Sequence, residues 1–479
     1  MSVGLCFRAC SVLRAAARPW PAAPIRSTRR RRRCGIAGAA LWAAAAALGW
    51  LTGAGAQTLP QQGDTVHLGV TTCGGSTCHG AAEPSRNSNV MQNEAKVWAE
   101  KDKHAQAYKA LLTPRSVAIA RKLGLSNAST AEMCLNCHAD NVAEGRRGRQ
   151  FDLASGVSCD ACHGGGAPWL GTHISGGTHE DNIKAGLYPT NEPVARAKLC
   201  LSCHIGSQAG KFASHRIMGA GHPRMPFELA TFTAKQPAHY IVDDDYVQRK
   251  GRPNGIQTWA IGQALQLDEL MRAYLDPQRN HPGPFPELVF FDCASCHHLM
   301  SQPRWEPRAS SARLGPGVLI FNDANALMLQ FLADRVDPPL GKALADARQG
   351  LERSVYEGRD ASLKQATKLR ELSGQLVDAF ARRQFGAEDL RALAAAVIAA
   401  GIERNEYAEQ SAAEQATLAL AALSQAMKDL GATSDAENRS AAAALAKMTE
   451  ATARESAFRP DVFVAALREF RQRVPLAMR

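Results

Sequence analysis

Beyond its first 34 residues the chain has no cysteine outside five short motifs, and its last third has neither cysteine nor histidine. Of its 13 cysteines, three lie in the first 34 residues and the other ten all belong to five short motifs. Residues 317–479 contain no member of either residue type, which excludes a site built from them there. Every candidate ligand of the mature chain is therefore confined to residues 57–316.

Each of the five motifs is a cysteine pair followed at once by a histidine. They are Cys73, Cys78 and His79; Cys134, Cys137 and His138; Cys159, Cys162 and His163; Cys200, Cys203 and His204; and Cys293, Cys296 and His297. The pattern C-x-x-C-H is typical of covalent haem c attachment, in which both thiols form thioethers and the histidine is the proximal iron ligand. Five motifs without a cysteine left over predict five haems.

Paired cysteines have two other common uses in proteins. Four thiolates can bind zinc, and exported proteins form disulfides, but neither explains a histidine after every pair. The first motif is the exception in spacing, because four residues instead of two separate Cys73 from Cys78. A disulfide between these two cysteines, leaving four haems, is the alternative for that motif.

Residues 1–56 have the features of an export signal. Nine arginines precede an uncharged stretch of 22 residues, Gly35 to Ala56, which ends in the small-x-small pattern Ala54-Gly55-Ala56. We therefore predict a signal peptide and a periplasmic location, since haem is attached to such motifs after export. An uncleaved anchor to the inner membrane is the alternative, because the stretch is long enough to span a bilayer.

The positive charge of the chain comes mainly from that leader. The formal net charge is +11, and residues 1–56 hold nine arginines without any lysine or acidic residue, so the remainder is +2. A chain so close to neutral has no basic stripe of the kind that nucleic-acid binding requires. Nucleic acid is therefore excluded as the expected partner.

Composition divides the mature chain near residue 316. Residues 57–316 hold all the motifs and many glycines and prolines, and predict a multihaem cytochrome c module with little regular structure. Residues 317–479 are rich in helix-forming residues, and apolar residues at helical spacing, such as Leu369, Leu372 and Leu376, predict an α-helical bundle domain. The expected fold class is mainly α. The bundle either covers the haem module or docks a redox partner or membrane complex.

Nine histidines outside the motifs are candidates for the sixth iron ligands. They are His67, His104, His173, His179, His215, His222, His239, His281 and His298. Two histidines on each iron suit low-potential electron transfer, and we predict this role for His104, His173, His179, His215 and His222. Met218 and Met225 are less favoured, because so many histidines are available.

The order of these residues over about residues 70–205 resembles the cytochrome c-554 family of tetrahaem electron acceptors. After the first motif come a helical segment with Trp98 and His104, the second motif, the stretch Gly156–Gly164 around the third, then His173 and the fourth motif. The resemblance implies haems in close parallel and perpendicular pairs, mostly with two histidine ligands. It also implies that the haem at His138 is the candidate five-coordinate site.

Three features depart from that family: the spacing of the first motif, the added motif at Cys293, and the helical C-terminal region. The partner of the small members is therefore not carried over. The chain also lacks C-x-x-C-K, the motif of the active haem in pentahaem nitrite reductases.

The leading hypothesis is an electron carrier between a membrane quinol-linked complex or another redox protein and an acceptor. The alternative is an oxidoreductase that acts on a small nitrogen or sulfur compound at a five-coordinate haem.

Overall fold

The regular structure of the protein is helical. The computed structural model describes residues 58–86, 90–206, 210–280, 284–298, 308–311, 314 and 318–474. Across these residues the β-structure is limited to two isolated β-bridges, His67 with Arg147 and Phe291 with Phe321. The expectation of a mainly α fold is confirmed, whereas the predicted leader over 1–56 lies outside the described residues.

The first part of the described chain consists of short helices joined by loops. Their bounds are α1 Val70–Cys73, α2 Glu94–Lys101, α3 Ala107–Ala110, α4 Pro114–Leu123, α5 Glu132–His138, α6 Cys159–His163, α7 Leu170–Ile174, α8 His179–Ala185, α9 Pro193–Leu201, α10 His215–Ala220, α11 Leu229–Lys235 and α12 Asp244–Lys250. Local signals set their ends. In α4, for example, Thr113 caps the first turn ahead of Pro114, and Gly124 ends the helix with φ of +77°.

Longer helices make up the rest of the chain. They are α13 Gly255–Leu275, α14 Ala324–Val336, α15 Pro338–Glu357, α16 Arg359–Arg382, α17 Ala387–Arg404, α18 Gln410–Asp429, α19 Asp435–Thr452 and α20 Pro460–Arg473. The stripe that predicted a bundle is buried, with Leu369, Leu376 and Phe380 at most 1% exposed. Within the described part of the chain, no helix is both long and apolar enough to cross a bilayer.

The main apolar core contains residues from both sides of residue 316. It runs in sequence from Ala197 on α9 to Val474, and α13 lies at its centre, packed against α9, α14 and α16. Trp259 and Tyr274 on α13 are fully buried in it. The predicted division near residue 316 stays a prediction, and the packing adds that α9, α11 and α13 share the core of the later helices.

A cluster of buried charges lies beside this core. The Arg308 guanidinium donates to Asp323 over 2.9 Å and lies 3.7 Å from Glu352, and Arg348 is 3.4 Å from Asp323. Burial, together with the Asp323 carboxylate, raises the pKa of Glu352 to about 7. A buried ion cluster of this kind adds little net stability but is costly to break, because removing one partner leaves an uncompensated charge.

Candidate metal centres

Four of the five motifs have the usual spacing of two residues between their cysteines, and each lies on a helical turn. Helices α5 and α6 carry the second and third motifs, and the fourth spans the end of α9 and the π-helical turn Ser202–Gly206. The fifth begins with the 3-10 turn Cys293–Ser295. Residues three and four apart are neighbours on a helical turn, so two thiols and the histidine after them can face one ligand together.

The first motif reaches a similar closure despite its extra residues. The His79 backbone N–H donates to the carbonyl of Cys73 over 3.1 Å, just as that of His297 donates to Cys293 over 2.7 Å. The added residues are taken up in a tight turn, in which Gly80 packs so closely on Gly74 that a Cβ at Gly80 would collide with the Gly74 carbonyl. The longer spacing therefore preserves the relation between the first cysteine and the histidine.

All ten motif cysteines are free thiols. Cys73 and Cys78 of the first motif are among them, so no disulfide joins the two. In the described chain no three histidine, cysteine or acidic side chains converge on a common metal position, whereas a structural zinc site needs four ligands.

Each motif histidine faces one histidine from outside the motifs. The distances between ring centroids are 5.9 Å for His79 and His173, 6.3 Å for His204 and His104, 6.4 Å for His138 and His222, 6.3 Å for His163 and His239, and 6.2 Å for His297 and His215. A metal–imidazole bond is about 2 Å long, so two imidazoles on opposite sides of one iron have centroids roughly 6 Å apart. The five pairs therefore fit the axial ligation of one haem iron each.

The hydrogen bonds of the paired histidines leave Nε2 of the ring as the nitrogen that can bind a metal. Nδ1 of four of them is bonded to the protein: His79 to Glu94 and His104 to Asp102 over 2.9 Å, His138 to the Ala107 carbonyl over 2.9 Å, and His222 to the Pro223 carbonyl over 2.8 Å. A bond at one ring nitrogen fixes the tautomer and the ring orientation, and it leaves Nε2 as the metal ligand. The orientation of these rings thus suits iron at Nε2.

Two of these bonds end on carboxylates. The hydrogen bond to Glu94 raises the pKa of His79, as the bond to Asp102 raises that of His104. Burial opposes ionisation of Asp102, but hydrogen bonds from His104 and Gln236 lower its pKa to about 2. An anionic partner at Nδ1 makes an imidazole a stronger donor to a metal, so these two rings have the strongest electron-donating support.

Four of the five predicted sixth ligands lie opposite a motif histidine, and one does not. His104, His173, His215 and His222 are paired, but Nε2 of His179 lies 3.2 Å from Oδ1 of Asn191 and its ring faces no motif histidine. The prediction for His179 followed from its closeness in sequence to the third motif. Helix α8 directs the ring to a polar neighbour, and the ligand role of His179 stays a prediction.

The ring opposite His163 is instead that of His239, which follows α11 and is one of the nine candidates but not one of the five predicted ligands. No local pattern marks His239, and elimination among the nine histidines was the signal that could have found it. His67 is fully buried and uses both ring nitrogens, Nδ1 toward Asp140 at 2.8 Å and Nε2 toward the Pro60 carbonyl at 3.3 Å. His67 is thus a structural residue, and His281 lies outside the described residues.

The second motif differs from what the family resemblance implied. That resemblance made the haem at His138 the candidate five-coordinate site, yet the ring of His222 lies opposite His138 at the same spacing as in the other pairs. His222 belongs to a segment beyond the residues on which the resemblance rests. Every motif histidine faces a second histidine, the type of ligand that was favoured over Met218 and Met225.

Thiol pairs that each precede a histidine, with a second histidine at ligand distance, define a c-type cytochrome, an electron-transfer protein with covalently bound haem. Residues 72–164 match the family described as Cytochrome c554 and c-prime. The match covers the first three motifs, so the last two motifs and the long helices lie beyond it. Comparisons with curated proteins and with solved structures give no match.

Proposed function

We propose that the protein is a periplasmic cytochrome that carries electrons between a respiratory donor and an acceptor through five covalent haems, each with two histidine ligands. The observation that carries this proposal is the set of five histidine pairs at one spacing. When bound, haem supplies a one-electron iron couple, and the chain holds it through two thioethers and two imidazoles. We name the five haem sites by their motifs, first to fifth.

The histidine pairs favour electron transfer over catalysis. An iron with two protein ligands must release one of them before a substrate can bind, whereas outer-sphere electron transfer needs no vacant position. Two histidine ligands also favour the low potentials that suit a respiratory carrier. No observation favours the oxidoreductase alternative, because the one candidate for an open site, at His138, has His222 opposite it.

The leader and the near-neutral mature chain support the proposed location and partners. An arginine-rich segment followed by an uncharged stretch is typical of export. The partners we propose are other redox proteins or a membrane quinol-linked complex. Membrane association would come from residues 1–56 if they are retained as an anchor.

The long helices support the haem sites in this proposal. Gln415 on α18 donates to the Phe227 carbonyl over 3.0 Å, and the Phe227 ring stacks on His204 of the fourth site at 4.4 Å. Ser411, also on α18, donates to Asp292, whose other carboxylate oxygen accepts from the Ala294 N–H within the fifth motif. These contacts favour a structural role for the helices over a separate docking module.

The spectrum of the holoprotein with carbon monoxide tests the proposal. Carbon monoxide binds a ferrous haem that has an open sixth position. We expect a ferric spectrum without a high-spin band and a ferrous spectrum that carbon monoxide leaves unchanged, with five haems per chain by pyridine haemochrome. One haem that is high-spin and binds carbon monoxide would instead support the oxidoreductase.

A further inference from the structure

A buried lysine lies against the second cysteine of the fourth motif. Lys211 is 7% exposed, and its ammonium donates to Sγ of Cys203 over 3.4 Å and to Oε1 of Gln61. Among the described residues this ammonium has no carboxylate partner. A thioether sulfur is still a weak acceptor, so the contact is compatible with haem attachment at Cys203. Once haem is attached, neither partner of the ammonium carries a charge.

The surrounding structure holds Lys211 in this position. Gly206 ends the π-helical turn of the fourth motif with φ of +108°, and a Cβ there would collide with the Lys211 carbonyl. The next residue, Phe212, packs against the main apolar core. On the other side Gln61 donates from Nε2 to the Ala139 carbonyl over 3.0 Å, which fixes the amide that accepts from Lys211. The ammonium is therefore held beside the attachment sulfur from both sides.

A positive charge in this position acts on the electron at the fourth site. A buried charge without a counter-charge is costly to the fold, and salt screens it little. Reduction adds one electron to the iron, so the reduced site is more negative by one unit. The Lys211 ammonium therefore stabilises the reduced form. The Asp102 carboxylate acts in the opposite direction, because it accepts from Nδ1 of His104, the second histidine of this site.

We propose that Lys211 sets the potential of the fourth site, making its haem easier to reduce than the two histidine ligands alone would make it and offsetting the carboxylate of Asp102. This rests on the proposed function, because it requires haem at the fourth motif. For a unit charge about 10 Å from the iron, at an effective dielectric constant of about 20, the oxidised-to-reduced ratio at fixed potential changes by on the order of tenfold.

Redox titration of one marked haem tests the proposal. His104→Ala should open the fourth site, and the ferric high-spin band of that haem then follows its reduction alone. Adding Lys211→Met removes the charge at similar side-chain length. It should raise the oxidised-to-reduced ratio of the marked haem by about tenfold at fixed potential, which is about 59 mV for one electron. A rise of less than about threefold would overturn the proposal.

Two matched variants separate the charge from other effects of the change. Lys211→Arg keeps the positive charge and should hold the ratio of the marked haem within about twofold of its value with lysine. Lys122→Met removes the same charge from an exposed position on α4 and should also change the ratio by less than about twofold. A rise in either variant as large as that in Lys211→Met would overturn the proposal.

A marker at another site tests the location. In His173→Ala, which should open the first site, Lys211→Met should change the ratio of the marked haem less than it does at the fourth site, and an equal or larger change would overturn the proposal. If Lys211→Met does not mature, Gln61→Glu places a carboxylate beside the ammonium in nearly the same shape. It should raise the ratio at the fourth site, and an unchanged ratio would be contrary to the proposal.

The proposed function has its own readouts in these experiments. The haemochrome count and the spin state of the parent test it without reference to Lys211. If His104→Ala left every haem low-spin, the proposed ligand pair of the fourth site would be wrong. Titration of all the haems in Lys211→Met would still decide the role of the charge, since a curve identical to that of the parent would overturn it.

Discussion

The imidazole rings of His138 and His222 face each other with centroids 6.4 Å apart and planes 82° apart. Nδ1 of each ring is bonded to a backbone carbonyl, of Ala107 for His138 and of Pro223 for His222. Both rings are therefore oriented by the backbone and present Nε2 to the space between them. This arrangement fits a closed second site with two histidine ligands.

Replacing His222 should open that site. In His222→Ala one haem should change from low-spin to high-spin and bind carbon monoxide, with no loss of haem, because both thioethers remain. The optical spectrum and the haemochrome count measure both properties. Met218→Ala, on helix α10 just before His222, is the matched control and should match the parent. If instead Met218→Ala produced the high-spin haem, methionine would be the ligand.

His239 and His179 form a second matched pair of substitutions. His239→Ala should convert one haem to high-spin, since its ring faces His163, whereas His179→Ala should leave every haem low-spin because its Nε2 is bonded to Asn191. Electron paramagnetic resonance of the ferric proteins distinguishes the two results. The reverse outcome, with His179→Ala high-spin and His239→Ala unchanged, would show that sequence proximity had selected the correct ligand.

The carboxylate of Glu94 should lower the potential of the first site. It accepts from Nδ1 of His79 over 2.9 Å, which makes the imidazole a stronger donor and stabilises ferric iron. Glu94→Gln should therefore raise the midpoint potential of one haem by on the order of 50 mV, roughly a tenfold change in its equilibrium. Spectroelectrochemical titration measures this shift. Glu100→Gln, an exposed change on the same helix, should leave all midpoints in place.

The attachment residues could be predicted from the sequence, but the pairing of the second ligands could not be predicted in full. Cysteine spacing is a local property, so each motif fixes its own two thiols and histidine. The second ligand comes from another part of the chain, and nothing near His239 indicates that it lies opposite His163. His179 is the converse case, because it is close to the third motif along the chain while its ring lies beside Asn191.

Helix α13 could not be recognised for a related reason. A helix that lies at the surface shows an apolar stripe, but one that is surrounded by other elements has no polar face to give a period. Every residue from Thr258 to Asp268 on α13 is buried, so the helix is covered on all sides. The sequence of residues 57–316 therefore predicts little regular structure, although α13 lies within it. The spacing of apolar residues does predict later helices, such as α16 with its buried leucine stripe.

The raised pKa of Glu352 should make stability fall as pH rises. Its folded pKa is about 7 against an ordinary value of 4.5, so the folded state binds the proton more tightly. The favourable contribution is complete below pH 4.5 and is lost as pH rises through 7. The free energy of unfolding should decrease by on the order of 2 kcal/mol across that range.

Denaturant unfolding at pH 5 and pH 8 measures this change. Glu352→Gln should flatten the pH dependence, because the amide stays neutral throughout. Glu357→Gln, an exposed change near the end of the same helix, should keep the dependence of the parent. A parent whose stability rises between these two pH values would show that Glu352 is ionised in the cluster with Arg308 and Asp323.

The intact mass of the mature holoprotein tests the central claim most directly. The account predicts a chain cleaved near Gln57 that carries five haems, because ten cysteines in five motifs each form a thioether. Thioether formation adds the whole haem to the chain without loss of hydrogen. A mass with four haems and two fewer hydrogens would contradict the account and establish a disulfide between Cys73 and Cys78.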